Sequence, residues 1–282
     1  MSEQLGFGDR LAAAMTAHGP ICVGIDPHPH LLRSWGLPVS AHGVRSFGLT
    51  VVEALGGQVA AFKPQSAFFE EYGSAGVAAL EEVIAACREA GSLCIVDAKR
   101  GDIGSTMEGY ARAYLTEGSP LAGDAVTLSP YLGVGALEPA FEAALENHRG
   151  VFVLALTSNP QGASVQHARQ SDGTAVARKV VEELTTWNEK CSAEHIFPFG
   201  LVVGATVGDA LRMLQIDLSG FSGAILSPGV GAQGAGSSQL TAVFGNARSR
   251  VLASTSRAIL ASGPDQAGLR TALKEAWNSL SE

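Results

Sequence analysis

The sequence predicts an α/β protein folded as a single-domain closed (β/α)8 barrel. Short apolar β-like runs recur eight times, helix-like segments separate them, and no G-x-G-x-x-G fingerprint of an open dinucleotide-binding sheet follows the first run. Strands that read as continuous apolar runs are covered on both faces, and eight parallel strand–helix units close most economically into a barrel.

Residues 1–20 are expected to form an N-terminal helical segment, with the helix over 3–18, ahead of the first run, Ile21 to Ile25. That run leads into Gly24-Ile25-Asp26-Pro27-His28, which lacks the dinucleotide glycines. The second run is Val59 to Phe62 and the third Leu93 to Val96. Between them, Gly73 to Ala90 spaces Val77, Leu80, Val83, Ile84 and Cys87 by threes and fours, as one face of a helix requires. The fourth and fifth runs are Ala125 to Leu128 and Val151 to Leu156, and Thr174 to Trp187 repeats the helical spacing with Val176, Val180, Val181 and Leu184. Gly200 to Val203, Ala224 to Leu226 and Val251 to Ala253 complete the eight. Pro264 to Leu280 is expected as the last helix, with Pro264 at its start. No linker rich in Pro, Ser or charge divides the chain, so one domain is expected over 1–282.

Composition bounds the function. With 282 residues, 46% of them hydrophobic and 16% charged, the chain can bury a substantial core, which excludes disorder. Nineteen basic against 27 acidic residues give a net charge of −8, the wrong sign for collecting phosphate backbones, and no local basic patch offsets it; no nucleic-acid partner is expected. Apolar runs such as Val151 to Leu156 fall far short of the roughly 20 residues that span a bilayer. The start Met1-Ser2-Glu3-Gln4 is acidic where a signal peptide is basic, so a cytoplasmic protein is expected. Cys22, Cys87, Cys94 and Cys191 form no C-x-x-C pair and read as reduced thiols.

Polar residues at the C-terminal ends of barrel strands converge on one face, and here they are numerous. Asp26 follows the first run, Lys63 the second, and Asp97, Lys99 and Asp102 the third. Ser129, then Ser158 and Asn159, then Thr206 follow the next three, and Ser227, Gly229, Gly231 and Gln233, then Ser254, Ser256 and Arg257, the last two. In Asp97-Ala98-Lys99 the charged residues are two apart and share a side of the strand, within reach of Lys63 on its neighbour. A structural salt-bridge cluster is the plain reading, but such arrays are costly unless every charge is paired, and three charges on two adjacent strand ends favour a site. Asp102 is also a natural N-cap for a helix over Ile103 to Leu115. Lys99 as a Schiff-base nucleophile would need a depressed pKa, whereas flanking carboxylates favour an ammonium that donates a proton.

The glycine-rich loop Ser227-Pro228-Gly229-Val230-Gly231-Ala232-Gln233-Gly234, joined to Arg257 at the next strand end, occupies the usual phosphate site of this fold. His28 and His30 resemble the H-x-H metal pair of some barrel hydrolases, but the later strand ends offer Ser158, Thr206 and Arg257 in place of further ligands, so no metal is expected. Trp35, Trp187 and Trp277 read as packing residues.

Phe62-Lys63-Pro64-Gln65, together with Asp97-Ala98-Lys99-Arg100-Gly101-Asp102-Ile103-Gly104-Ser105-Thr106, resembles the signature of the orotidine 5′-phosphate decarboxylase family in its second sequence type. The glycine-rich loop is similar to that family's phosphate motif, and the match runs nearly the whole chain. The resemblance implies a charged tetrad of Lys63, Asp97, Lys99 and Asp102, with Lys99 protonating C6 of the pyrimidine. It implies Asp26 and Lys63 at the ribose, Ser158 at the pyrimidine edge, and Pro228, Gln233, Ser256 and Arg257 around the phosphate. Ser256 stands where relatives often carry glycine. Asp102 and Thr106 would reach into a neighbouring subunit's site, which implies a homodimer with shared active sites. The implied reaction takes orotidine 5′-phosphate to UMP and CO2, the last step of de novo pyrimidine biosynthesis, without metal or organic cofactor. Asp97 would also repel the departing carboxylate. The alternative is a metal-dependent sugar-phosphate decarboxylase or isomerase on the same barrel, which would want an acid where Lys63 stands.

Overall fold

The computed structural model describes residues 5–230 and 236–281. Eight parallel strands close in sequence order into a barrel: β1 (Ile21–Ile25), β2 (Ala61–Pro64), β3 (Leu93–Arg100), β4 (Ala125–Leu128), β5 (Gly150–Leu156), β6 (Phe197–Val203), β7 (Gly223–Pro228) and β8 (Val251–Thr255). The expected architecture is therefore the observed one, while several strands run past their apolar runs. Lys63 and Pro64 stay in β2 because they pair with Gly24 and Ile25 of β1, and Ser227 and Pro228 stay in β7 opposite Ala253 and Ser254. A charged side chain does not end a strand whose backbone still has a partner.

Side chains alternate between the barrel interior and the surrounding helices. The interior set includes Cys22, Ala61, Ile95, Ala125, Phe152, Val202, Ala224 and Leu252, all buried. Gly200 belongs to this layer, because a Cβ there would stand 2.5 Å from the Phe152 ring. The helix Phe7–His18 closes the N-terminal end, with Phe7 meeting Phe152 edge-on at 6.0 Å. A second, larger apolar layer packs the outward faces of the strands against helices such as Ala41–Leu55, Gly73–Glu89 and Val176–Asn188.

Helix boundaries also differ from the sequence reading. The first helix starts at Phe7, not residue 3, and residues 1–4 lie outside the described chain. Pro264 precedes the last helix, Gln266–Ser281; Asp265 caps it, its carboxylate accepting from Gly268 N–H at 2.9 Å. Asp102 does not cap the helix Gly104–Leu115: its carboxylate accepts from the adjacent Ile103 N–H at 2.8 Å, and the N-cap position is Ile103, without a side-chain cap.

Candidate active site

Continuing the inward alternation past each interior core residue leads directly to the barrel mouth. Cys22 is followed two and four residues on by Gly24 and Asp26, Ala61 by Lys63 and Gln65, Ile95 by Asp97 and Lys99, Ala125 by Thr127, and Leu252 by Ser254 and Ser256. Apart from the core layer, Gly24 and Thr127, all of these line one cavity of about 500 Å³, joined by His28, Ser158, Pro228 and Arg257. Gly24 must be small, because its Cβ would stand 2.9 Å from Ser256 Cβ.

Asp97 is the centre of the site. Its Oδ2 accepts from Lys63 Nζ at 2.7 Å and Gln65 Nε2 at 3.1 Å, and its Oδ1 from Lys99 Nζ at 2.6 Å and Thr127 Oγ1 at 2.8 Å. Four donors satisfy a carboxylate that is itself only 8% exposed, which is what a buried charge requires. Burial works against its ionisation, but the ammonium groups of Lys63 and Lys99 outweigh that and hold the carboxyl well below the usual range. Burial likewise works against the charge on Lys63, and the carboxylates of Asp97 and Asp26 reverse it, raising its pKa above the ordinary lysine value. The two lysines differ in access. Both line the cavity, but the Lys63 side chain is 7% exposed and that of Lys99 43%, so Lys99 is the more accessible of the two.

The backbone supports this division. The register of β3 against β4 shifts between Val96 and Arg100, and Lys99 takes φ 47° in the left-handed region, a conformation costing a non-glycine residue about 1–2 kcal/mol. Its N–H donates to Thr127 Oγ1 at 3.0 Å, so the same hydroxyl holds both the carboxylate and the lysine backbone. Downstream, Arg100 pairs with Glu70, donates to Tyr114 Oη at 3.3 Å and lies over the rings of Tyr110 and Tyr114, anchoring the end of the strand.

The wall formed by the ends of β1 and β8 carries polar atoms suited to an oxygen-rich ligand. Asp26 Oδ1, Thr255 Oγ1 and Ser256 Oγ are buried and have no hydrogen-bond partner in the protein. Orphaned polar atoms at a cavity wall are satisfied by what enters it. Arg257 is exposed beside them, and Gly229, with φ 99°, turns the chain at the end of β7.

Many of the residues singled out from the sequence converge in space. The structure brings Asp26, Lys63, Asp97, Lys99, Ser158, Pro228, Ser256 and Arg257 to one cavity. Gln233 lies outside the described residues. Asp102 and Thr106 do not line this cavity, so the expected tetrad appears within one chain as a triad. Ser129 does not line this cavity; its N–H donates to Arg100 C=O at 2.7 Å, and Thr127 is the β4 residue that bonds Asp97. Thr127 and Gln65 were missed, though the inward alternation from Ala125 and Ala61 marks both. His28 lines the cavity, stacked on His30 with ring centroids 5.3 Å apart. Among the described residues no three His, Cys, Asp or Glu side chains gather as metal ligands.

The family model of the orotidine 5′-phosphate decarboxylase / HUMPS family matches residues 19–272. An orotidine 5′-phosphate decarboxylase of Salinispora arenicola is 55% identical over 266 residues, covering 94% of both chains. The chain belongs to the orotidine 5′-phosphate decarboxylase / HUMPS family. Its backbone matches the crystal structure of a Streptomyces avermitilis relative assigned to the same enzyme with a TM-score of 0.93 at 51% identity, covering 99% of this chain and 96% of that one. It also matches Leishmania donovani OMP decarboxylase with a TM-score of 0.77 at 29% identity, covering 99% and 100%. Lys63, Asp97 and Lys99, three of the residues that carry the family resemblance, are the ones joined by ion pairs here.

Proposed function

We propose that the protein is a carboxy-lyase that removes CO2 from C6 of orotidine 5′-phosphate to give UMP, the last step of de novo pyrimidine biosynthesis, with Lys99 as proton donor. The observation that carries this reading is the Asp97 carboxylate clamped between two ammonium groups at the cavity, with the Lys99 side chain the more exposed of the two. Loss of CO2 leaves an electron pair on C6. A fixed ammonium stabilises that charge as it develops and then delivers the proton that completes UMP, and because it is already paired and hydrogen-bonded, little reorganisation is needed. Asp97 keeps Lys99 in place, and its own charge faces the region of the departing carboxylate.

Asp26 and Lys63 are suited to ribose hydroxyls, Ser158 to the edge of the pyrimidine, and Ser256, Arg257 and the backbone after Pro228, continuing into the loop with Gln233, to the phosphate. Binding energy gained at the distant phosphate is available to close the site over the ring. The reading needs no metal or cofactor: Lys63, a cation, stands where a metal-assisted sugar-phosphate enzyme of this barrel would want an acidic ligand.

The second half of the proposal is a homodimer with shared active sites. Asp102 and Thr106 follow β3 in the chain but lie outside the cavity lining, and Ile103, Tyr131 and Leu132 expose large apolar side chains. A second copy covering that surface would bury them and carry its own Asp102 and Thr106 towards this cavity. No helix of the described residues is long and apolar enough to cross a membrane, which agrees with a role in the cytoplasm.

The test is the loss of the orotate chromophore when orotidine 5′-phosphate is mixed with the protein in excess EDTA, beside Lys99→Ala. Rapid loss with wild type alone is expected. No change with either protein refutes the activity, and turnover that vanishes only with the chelator points to the metal-dependent alternative.

A further inference from the structure

Where β5 ends at Leu156, its last carbonyl accepts from Gly204 N–H at 2.9 Å, and the next N–H, that of Thr157, is paired by a side chain instead. Gln166 Oε1 accepts from Thr157 N–H at 2.9 Å while Gln166 Nε2 donates to Thr157 Oγ1 at 2.7 Å. A carboxamide offers the same acceptor and donor as a peptide group, so Gln166 extends the pairing of β5 from nine residues downstream. Thr157 Oγ1 in turn donates to Asn159 Oδ1 at 2.6 Å. Gly162 lets the loop fold back this closely, since a Cβ there would stand 2.9 Å from Thr157 Oγ1 and 3.0 Å from Gln166 Nε2. On the other side, a Cβ on Gly204 would stand 3.1 Å from Ser158 N. Ser158 is therefore fixed between a close backbone contact and the Gln166 clamp. Thr157, Ser158 and Asn159 line the cavity, whereas Gln166 does not.

We infer that Gln166 is a positioning residue for recognition of the pyrimidine ring, holding Thr157 so that Ser158 meets the ring edge. This rests on the proposed function, from which Ser158 takes its role. It acts on the ring end of the cavity alone, because the phosphate end is built from β7 and β8.

The test compares two ligands on wild type, Gln166→Met and Gln166→Glu: UMP, and ribose 5-phosphate, which keeps the phosphate and sugar but has no ring. Methionine preserves length without either hydrogen bond, and glutamate preserves the acceptor for Thr157 N–H. Gln166→Met is expected to weaken UMP binding and kcat/KM for orotidine 5′-phosphate by about tenfold, the order supplied by one or two neutral hydrogen bonds, and to leave ribose 5-phosphate affinity within about twofold. Gln166→Glu is expected to recover most of the loss. A thermal melt of each variant establishes that it is folded; should Gln166→Met not fold, the same split read on Thr157→Val decides. Equal weakening of both ligands, or of neither, overturns the inference while turnover by wild type leaves the proposed function standing. A wild type that leaves orotidine 5′-phosphate intact overturns both.

Discussion

Replacing Thr127 with valine isolates the support of the charged array from the charges themselves. The side chain is buried and keeps nearly its shape, but the hydroxyl that donates to Asp97 Oδ1 and accepts from Lys99 N–H is gone. A hydrogen bond to an ionised group contributes about 1.5–3 kcal/mol and a neutral one about 1 kcal/mol, and three donors remain on Asp97, so a loss of about 2–3 kcal/mol in stability is expected. Catalysis is affected through Lys99, whose left-handed backbone costs about 1–2 kcal/mol and is held by that hydroxyl. Releasing about 1.4 kcal/mol of restraint leaves roughly one molecule in ten with Lys99 in place, so kcat is expected to fall about tenfold. Urea denaturation and the orotate absorbance assay measure the two effects, and Thr127→Ser, which restores the hydroxyl, is expected to reverse both to within about twofold. Wild-type stability together with wild-type kcat in Thr127→Val would refute this account of how Lys99 is held.

The Lys63–Asp97 pair has a defined pH range. Asp97 is held below its unfolded value, so its contribution is complete above about pH 4 and is lost as pH falls through the folded value; Lys63 is held above its unfolded value, so its contribution is complete below about pH 10 and is lost as pH rises through the folded value. Lys63→Met is expected to cost about 1.5–3 kcal/mol at neutral pH, because it removes one charge-assisted hydrogen bond from the buried Asp97 while Lys99 still pairs with it, and an unchanged urea midpoint would rule this out. Cys22 lies beneath the site, and burial, with Asp97 and Asp26 adding to it against Lys63, pushes its thiol up to about 12. An aromatic disulfide reagent at pH 8 should label it only after unfolding, and rapid labelling of the native protein at that residue would contradict the assignment. Finally, if Asp102 completes the partner's site, mixing inactive Lys99→Ala and Asp102→Asn proteins should restore about a quarter of wild-type activity, because half the reassorted dimers are hybrids with one intact site of two. No recovery after subunit exchange would place Asp102 in its own chain's site.

What the sequence made legible, and what it did not, follows from where a strand's periodicity stops. Along β1 to β8 one interior core residue per strand fixes the inward frame, and every second residue after it faces the cavity for as long as the backbone stays paired. Asp26, Lys63, Asp97 and Ser256 fall in that frame, which is why reading strand ends found them. Thr127 falls in it too, but Ser129 was read in its place because the apolar run ends at Leu128, and a run measures burial while the frame measures direction. The same confusion ended β2, β3, β7 and β8 too early, because Lys63, Asp97, Lys99 and Ser254 are polar where they line the cavity although the strands continue through them. Where the register shifts, as between Val96 and Arg100, or the strand ends, as after Leu156, the period no longer fixes where a side chain goes. Lys99 reaches Asp97 through a left-handed turn and Gln166 reaches Thr157 through a folded-back loop, and both contacts depend on backbone paths that neighbouring glycines and hydroxyls set. Asp102 lies further along such a path, and its partner, on the proposed reading, is a second chain. The charges that line the cavity were thus readable from the strands, whereas the groups that hold them in place lie mostly where only the folded structure reveals them.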